Sequence, residues 1–298
     1  MRFPGRPMTA LFILLALTTS ISCAPRTEAP MERTEFVLGT VCSIRLLDGA
    51  SRKGLELAFK RLFEIEASMS INTPGTIVGA VNEAAGLKPV KVPQDVLDVT
   101  RKALYYAKLT GNRFDPTIGP VVKLWNIGLE GERVPEPWEI QNVLPLVGAE
   151  SVQIDEQAST IFLPKTGMLL DLGAIAKGYA ADEVGRILAE HGVKAAVIDL
   201  GGNVKVVGRK PDGSTWRIGV QAPSDSRGAY IGITSLGEGT TVVTSGIYER
   251  YFVDTDGRSY HHIFDTRTGY PVEGDLVSVT VISRSSIEAD SLSTGLFA

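Results

Sequence analysis

Asp290 and Thr294 lie four residues apart near the end of the 298-residue chain, the spacing that puts two side chains on one face of a helix. A carboxylate and a hydroxyl so aligned are hard oxygen donors, suited to Mg2+ rather than zinc. A solvated helix face has the same composition, so the pair alone leaves both readings open. Upstream, Asp171-Leu172-Gly173-Ala174-Ile175-Ala176-Lys177-Gly178-Tyr179 leads an acidic residue through a glycine turn into a helix. Exposed N–H groups at such a start suit a phosphate, and Lys177 adds charge complementarity. This is no Walker loop, because the glycine spacing and the Lys-Ser/Thr ending are absent. The plainer alternative has Asp171 capping the helix and Lys177 in solvent. Two other polar segments stand out. Phe114-Asp115-Pro116-Thr117 reads as a turn with Thr117 opening a short helix toward Trp125, and Asp199-Leu200-Gly201-Gly202-Asn203 reads as a tight hairpin or a close backbone approach to a ligand. The densest run holds Thr244-Ser245-Gly246, Tyr248, Arg250, His261-His262-Ile263-Phe264-Asp265 and Thr268-Gly269.

The elements that must hold these residues show in the apolar spacing. Helical periods run through Leu55/Phe59/Leu62/Phe63, Val96/Ala103/Leu104/Ala107 and Ala176/Tyr179/Ala180/Ile187/Leu188. The capping-box spacing of Ser285 and Glu288 starts another helix, with Asp290 and Thr294 on one face and Leu292 and Leu296 on another. His191 should cap the C-terminal end of the Ala176 helix. Short β-rich runs cover 195–200, 204–207, 216–220, 241–245, 260–264 and 276–283, with Asp-Gly turns at 212–213 and 256–257. Close turns between short strands favour antiparallel pairing, so the fold class is α+β: largely antiparallel sheet with packed helices.

Composition narrows the function. A formal charge of −4 supplies no general basic patch, so nucleic acid is not an expected partner. Two cysteines, Cys23 and Cys42, exclude a disulfide scaffold and a four-thiolate zinc site. Arg2 and Arg6 precede an apolar run from Met8 to Leu17, then small residues and Cys23, the layout of a secretory leader resembling a lipoprotein cleavage site, with Ser20 where Leu is usual. The expected organisation is a leader over 1–22, a tether over 23–34 beginning at the lipid-bearing Cys23, and one domain over 35–298. Cys42 falls in a strand-like run and should be a buried small hydrophobe.

Taken in order, Leu38-Gly39-Thr40, residues 114–117, residues 171–179, Gly201-Gly202-Asn203, Thr244-Ser245-Gly246, His262-Ile263-Phe264-Asp265 and Ala289-Asp290 resemble the ApbE family of FAD:protein FMN transferases, from about Glu35 to the last residue. The resemblance implies an ApbE-like architecture, FAD as substrate and Mg2+ as cofactor. It further implies transfer of FMN to a Thr or Ser hydroxyl of an acceptor protein with release of AMP. Leu38, Asp115, Asp171, Lys177 and Phe264 are then expected at FAD, Ala174 (through its carbonyl), Asp290 and Thr294 at the metal, and His262 as the catalytic base. The acceptor is expected to be a membrane redox subunit with a Ser/Thr flavinylation motif, and the enzyme to be lipid-anchored on the extracytoplasmic, periplasmic side of a bacterial membrane.

An imidazole with an unperturbed pKa of about 6.5 accepts a proton readily at neutral pH. The sequence departs from the family pattern at Leu38 (usually Met), at Asn72 (often aromatic) and at Thr266 (often Pro), and it stops at Ala298 within the helix bearing Asp290, which reads as a truncated C-terminus. Two alternatives share the same residues: an FAD pyrophosphatase using water, and a non-catalytic FAD-binding lipoprotein.

Overall fold

The protein is described by a computed structural model over residues 30–223 and 229–298. The leader, Cys23 and the tether up to Ala29 lie outside the described residues, and Met31–Thr34, expected in the tether, already belong to the first strand. Among the described residues no helix is long and apolar enough to cross a membrane.

In chain order, β1 (Met31–Val37) and β2 (Thr40–Asp48) lead into α1 (Arg52–Met69) and α2 (Ile77–Glu83). Then follow β3 (Val90–Lys91), α3 (Gln94–Leu109), α4 (Gly119–Trp125), α5 (Pro137–Val143), β4 (Gln153–Asp155) and β5 (Thr160–Phe162). The second half holds α6 (Gly173–Glu190), β6 (Ala195–Leu200), β7 (Asn203–Gly208), β8 (Trp216–Gln221), β9 (Tyr230–Leu236) and β10 (Thr241–Gly246). It closes with β11 (Tyr251–Val253), β12 (Ser259–His261), β13 (Ser278–Ser283) and α7 (Ser286–Phe297).

The central sheet has six strands in the order β1-β2-β6-β7-β10-β13, every neighbouring pair antiparallel. Alternation along its strands divides two cores. Cys42, Ile44 and Leu46 of β2 with Ala196, Ile198 and Leu200 of β6 face the helices, where α1 brings Leu55, Phe59, Leu62 and Ile65 at helical spacing. Ala195, Val206 and Val242 point to the other side, under Trp216 and Leu236 of the β8–β9 ribbon. Each fully buried Leu, Ile or Phe contributes about 1.5–3 kcal/mol relative to exposure. A third cluster gathers Val121, Trp125, Ile127, Ile140 and Phe264.

The antiparallel α+β class stands as the sequence predicts it, and the β-rich runs of the second half are strands, with 260–264 reduced to a strand ending at His261. Cys42 is fully buried with its Sγ 3.3 Å from the Val37 carbonyl, and burial, with Asp199 nearby, pushes its thiol up to about 12. His191 caps α6, its Nδ1 2.8 Å from the Ile187 carbonyl. Two caps differ from expectation. Ser285 precedes α7 but makes no side-chain cap bond, and Glu288 turns instead to Ser283 Oγ at 2.6 Å. Thr117 does not cap α4, which starts after Ile118; its hydroxyl donates to Asp115 and accepts from Gly148.

Candidate functional site

Helices α6 and α7 cross at very close range because Gly178 lacks a side chain: a Cβ there would lie 2.3 Å from the Ser286 carbonyl oxygen and 2.6 Å from the Ile287 Cα. The Gly178 N–H donates to Asp290 Oδ2 at 2.8 Å. In an undisturbed α-helix that hydrogen points at the Ala174 carbonyl. With it directed at Asp290, the Ala174 oxygen, which has two lone pairs, keeps acceptor capacity to spare. Asp290 is 4% exposed, and Lys177 Nζ stands 3.9 Å from its Oδ1. Thr294, one turn along, lies with its hydroxyl 3.3 Å from Ser245 Oγ, which is also bonded to Ser293 Oγ at 2.8 Å.

The donor set fits a small hard cation. Asp290 supplies one carboxylate, while Ala174 and Thr294 supply neutral oxygens. Among the described residues no group of three or more His, Cys, Asp or Glu is placed to hold a metal. A site with a single acidic side chain leaves coordination positions to water and phosphate, the mode typical of Mg2+.

Gly178→Ala tests the packing directly. Alanine is the better helix former by about 1 kcal/mol, but overpacking costs about 1–3 kcal/mol and here the obstacle is backbone. The expected result is a net loss of about 1–2 kcal/mol in denaturant unfolding, and an unchanged or raised midpoint would show that α7 can retreat freely.

Positive charge gathers beside this helix pair. Burial raises the Asp171 carboxyl above its usual range, while the Gly173 N–H at 2.8 Å and the charges of Lys123, Arg250 and Lys177 oppose the rise. Lys123 Nζ donates to Asn72 Oδ1 at 2.7 Å, so the position where the family often has an aromatic here orients a lysine. Arg250 reaches the β1–β2 turn, donating to the Gly39 carbonyl at 3.2 Å. That turn needs Leu38 and Gly39 at φ +58° and +68°, a left-handed conformation that a β-branched residue resists. It packs against Gly201, where a Cβ would meet Thr40 Oγ1 at 2.3 Å.

His262 is held by the backbone of Arg250: its N–H donates to the Arg250 carbonyl at 3.2 Å and its Nδ1 lies 3.1 Å from the same oxygen. A carbonyl only accepts, so Nδ1 carries the hydrogen and Nε2 keeps its lone pair. The unperturbed pKa expected from the sequence is corrected by the structure. Burial first, then Arg250, Lys177 and His261, pushes it down to about 4. The ring is therefore neutral at pH 7. His261 is engaged on both nitrogens, Nε2 with the Val272 carbonyl at 2.9 Å and Nδ1 with the Ile263 N–H at 3.3 Å, which makes it structural.

The remaining sequence-predicted residues divide. Lys177 meets Asp290, its charge and that of Arg250 act on Asp171 and His262, and Arg250 reaches the turn that holds Leu38; Thr294 follows Asp290 by one turn of α7 and Ala174 precedes Gly178 by one turn of α6. Asp115 and Phe264 do not present themselves to a ligand. The Asp115 carboxylate is 5% exposed and already accepts from Thr117 N–H and Oγ1 at 2.7 and 2.6 Å and from Ala149 N–H at 3.0 Å. Its role is to fasten the 115–117 turn to 148–149, and Pro116 in turn accepts from the Asp171 N–H at 2.7 Å. Phe264 is buried against Trp125 with ring centroids 5.9 Å apart. Residues missed in the sequence are Lys123, Asp182 and Lys205. The one readable signal was Asp182, four residues after Gly178 on the same face of α6.

Comparison with known proteins bears on this geometry. The model of the ApbE family matches residues 38–298. An FAD:protein FMN transferase of Klebsiella pneumoniae (strain 342) is 41% identical over 239 residues, covering 80% of this chain and 73% of the relative. One of Treponema pallidum (strain Nichols) is 34% identical over 294 residues, covering 93% and 81%. The crystal structure of the ApbE protein from Thermotoga maritima superposes with a TM-score of 0.83 at 34% identity, covering 90% of this chain and 86% of that one. The flavin transferase ApbE from Vibrio cholerae gives 0.80 at 30% identity, with the same coverages.

Proposed function

Because the chain belongs to the ApbE family, we propose that it is an FAD:protein FMN transferase that uses Mg2+ to move FMN from FAD onto a Ser or Thr hydroxyl of an acceptor protein, releasing AMP. The observation that carries this reading is the position of Lys177. Its ammonium stands 3.9 Å from the buried Asp290 carboxylate and its charge is felt at His262, so cation ligands, a phosphate-binding charge and a neutral imidazole share one place.

Lys177 and Arg250 hold the pyrophosphate by charge and hydrogen bonds. Asp290, Thr294 and the Ala174 carbonyl would hold the metal, which when bound neutralises charge on the phosphorus under attack and on the departing AMP. His262 receives the proton of the attacking hydroxyl on Nε2 while Nδ1 stays anchored to Arg250. The proton then leaves to solvent, the new P–O bond joins FMN to the acceptor, and the bond to AMP breaks. The leader and Cys23 support a lipid-anchored, extracytoplasmic location, facing an acceptor that is a membrane redox subunit.

The test is incubation with FAD, Mg2+ and a Ser/Thr-bearing acceptor, read as in-gel flavin fluorescence and as an acceptor mass raised by one FMN. Chelation with EDTA should abolish the signal and added Mg2+ restore it. Free FMN and AMP without labelled acceptor would assign the site to hydrolysis instead, and undiminished FAD would leave only binding.

A further inference from the structure

Two polar rungs join α6 to α7, and they share one register. Gly178 meets Asp290, and Asp182, one turn along α6, meets Ser286, one turn back along α7. The next step of the same antiparallel spacing sets Ala174 opposite Thr294, so the three oxygens assigned to the cation lie on the two rungs that follow Asp182. The Asp182–Ser286 rung is a cap. The Asp182 carboxylate accepts from the Ser286 N–H at 3.0 Å through each oxygen and from the Ile287 N–H at 3.1 Å, filling the α7 N-terminus that Ser285 leaves without a side-chain cap. Lys205 pins it, with Nζ 2.9 Å from Asp182 Oδ1 and donating to the Arg284 carbonyl at 3.2 Å, and it is 8% exposed. Sideways, Ser286 Oγ donates to Asn203 Oδ1 at 2.6 Å and lies 3.1 Å from Thr241 Oγ1.

We propose that Asp182, braced by Lys205, is a positioning residue that sets the register of α7 against α6 and thereby brings Asp290 and Thr294 to the cation. The proposal rests on the cation site argued above. A helix advances about 1.5 Å per residue, and a metal site tolerates displacements of about 0.5 Å, so loss of the latch detunes the ligands without removing any of them.

The experiment titrates Mn2+ into the full chain in the presence of FAD and reads free Mn2+ by electron paramagnetic resonance, with melting temperature measured on the same samples. Asp182→Ala should weaken Mn2+ binding roughly tenfold or more, the usual effect of removing a group that orients a ligand, and Asp182→Asn, which keeps an acceptor oxygen but not the charge, should fall between it and the parent. Ile161→Ala, in the separate β3-β5-β4 sheet, serves as the destabilised control and should keep the parent affinity. An unchanged affinity in Asp182→Ala, or an equal loss in Ile161→Ala, overturns the proposal. If Asp182→Ala does not yield folded protein, the contrast between Asp182→Asn and Ile161→Ala decides. Absence of Mn2+ binding by the parent would refute the cation site itself, and the latch with it; binding by the parent that Asp290→Asn loses and Asp182→Ala retains refutes the latch alone.

Discussion

Replacing His262 by alanine is expected to slow FMN transfer about 10²–10⁴-fold, the usual worth of a positioned acid or base, while FAD affinity stays close to that of the parent. His261 cannot take over, since both of its ring nitrogens are already bonded. The pH dependence sharpens the test. With the free-enzyme pKa pushed down to about 4, the ring is neutral and competent above that value, so kcat/KM should fall only as the pH drops toward 4. Stability follows the same group. Between about 6.5 and about 4 the unfolded chain binds the proton and the folded protein does not, so His262 takes away stability as the pH falls through that window. The alanine variant should lose both the rate limb and this part of the melting-temperature decline. Near-normal transfer by that variant would remove His262 from the reaction.

Asp290→Asn is expected to abolish Mg2+-dependent transfer while the protein remains folded. Asparagine has the same shape and its Oδ1 can still accept the Gly178 N–H, but the carboxylate proposed to hold the cation is gone. Removing a group that merely orients a metal ligand costs about 10–100-fold in affinity, so loss of the ligand itself should cost at least about 100-fold. Thr294→Ala should weaken Mg2+ less, because a neutral hydroxyl is the poorer ligand for a hard cation. Mg2+ titrations of the transfer rate read both variants, and an unaltered Mg2+ requirement in the two would return this helix face to a purely structural role.

Local pattern carried much of this fold. Helices α1, α3 and α6 show their apolar period, and the hairpin at Gly201–Gly202 its glycines, φ +64° and +87°. What escaped has physical reasons. Strand β9 has Tyr230, Ile231 and Ile233 all exposed, so no inside-outside alternation marks it. Helix α7 inverts the usual polarity, with Asp290, Ser291 and Ser293 buried and Leu296 59% exposed, because close approach to α6 needs small side chains and Asp290 accepts the Gly178 N–H across that contact. Hydrophobic spacing alone turns that helix the wrong way. Its cap comes from Asp182, 104 residues away, and the fastening of Asp115 to Ala149 spans 34 residues, distances at which no local signal exists. The ordered motifs select residues by chemistry rather than packing, and the structure divides them: Lys177 stands 3.9 Å from the Asp290 carboxylate, whereas Asp115 and Phe264 are buried in contacts of their own.

The chain has three tryptophans, and they differ in environment: Trp125 is fully buried, Trp216 is 3% exposed under the β8–β9 ribbon, and Trp138 is 62% exposed. Trp125 packs against Tyr260 and Phe264, with centroids 5.4 and 5.9 Å apart, and those two rings flank His262 two residues to either side. Its indole N–H is fixed to the Gly269 carbonyl at 2.9 Å, so the ring cannot relax independently of that segment. Movement of the 260–264 segment would therefore disturb an indole, and intrinsic emission, once an aqueous quencher has silenced Trp138, reports on that segment through Trp125 above the emission of Trp216.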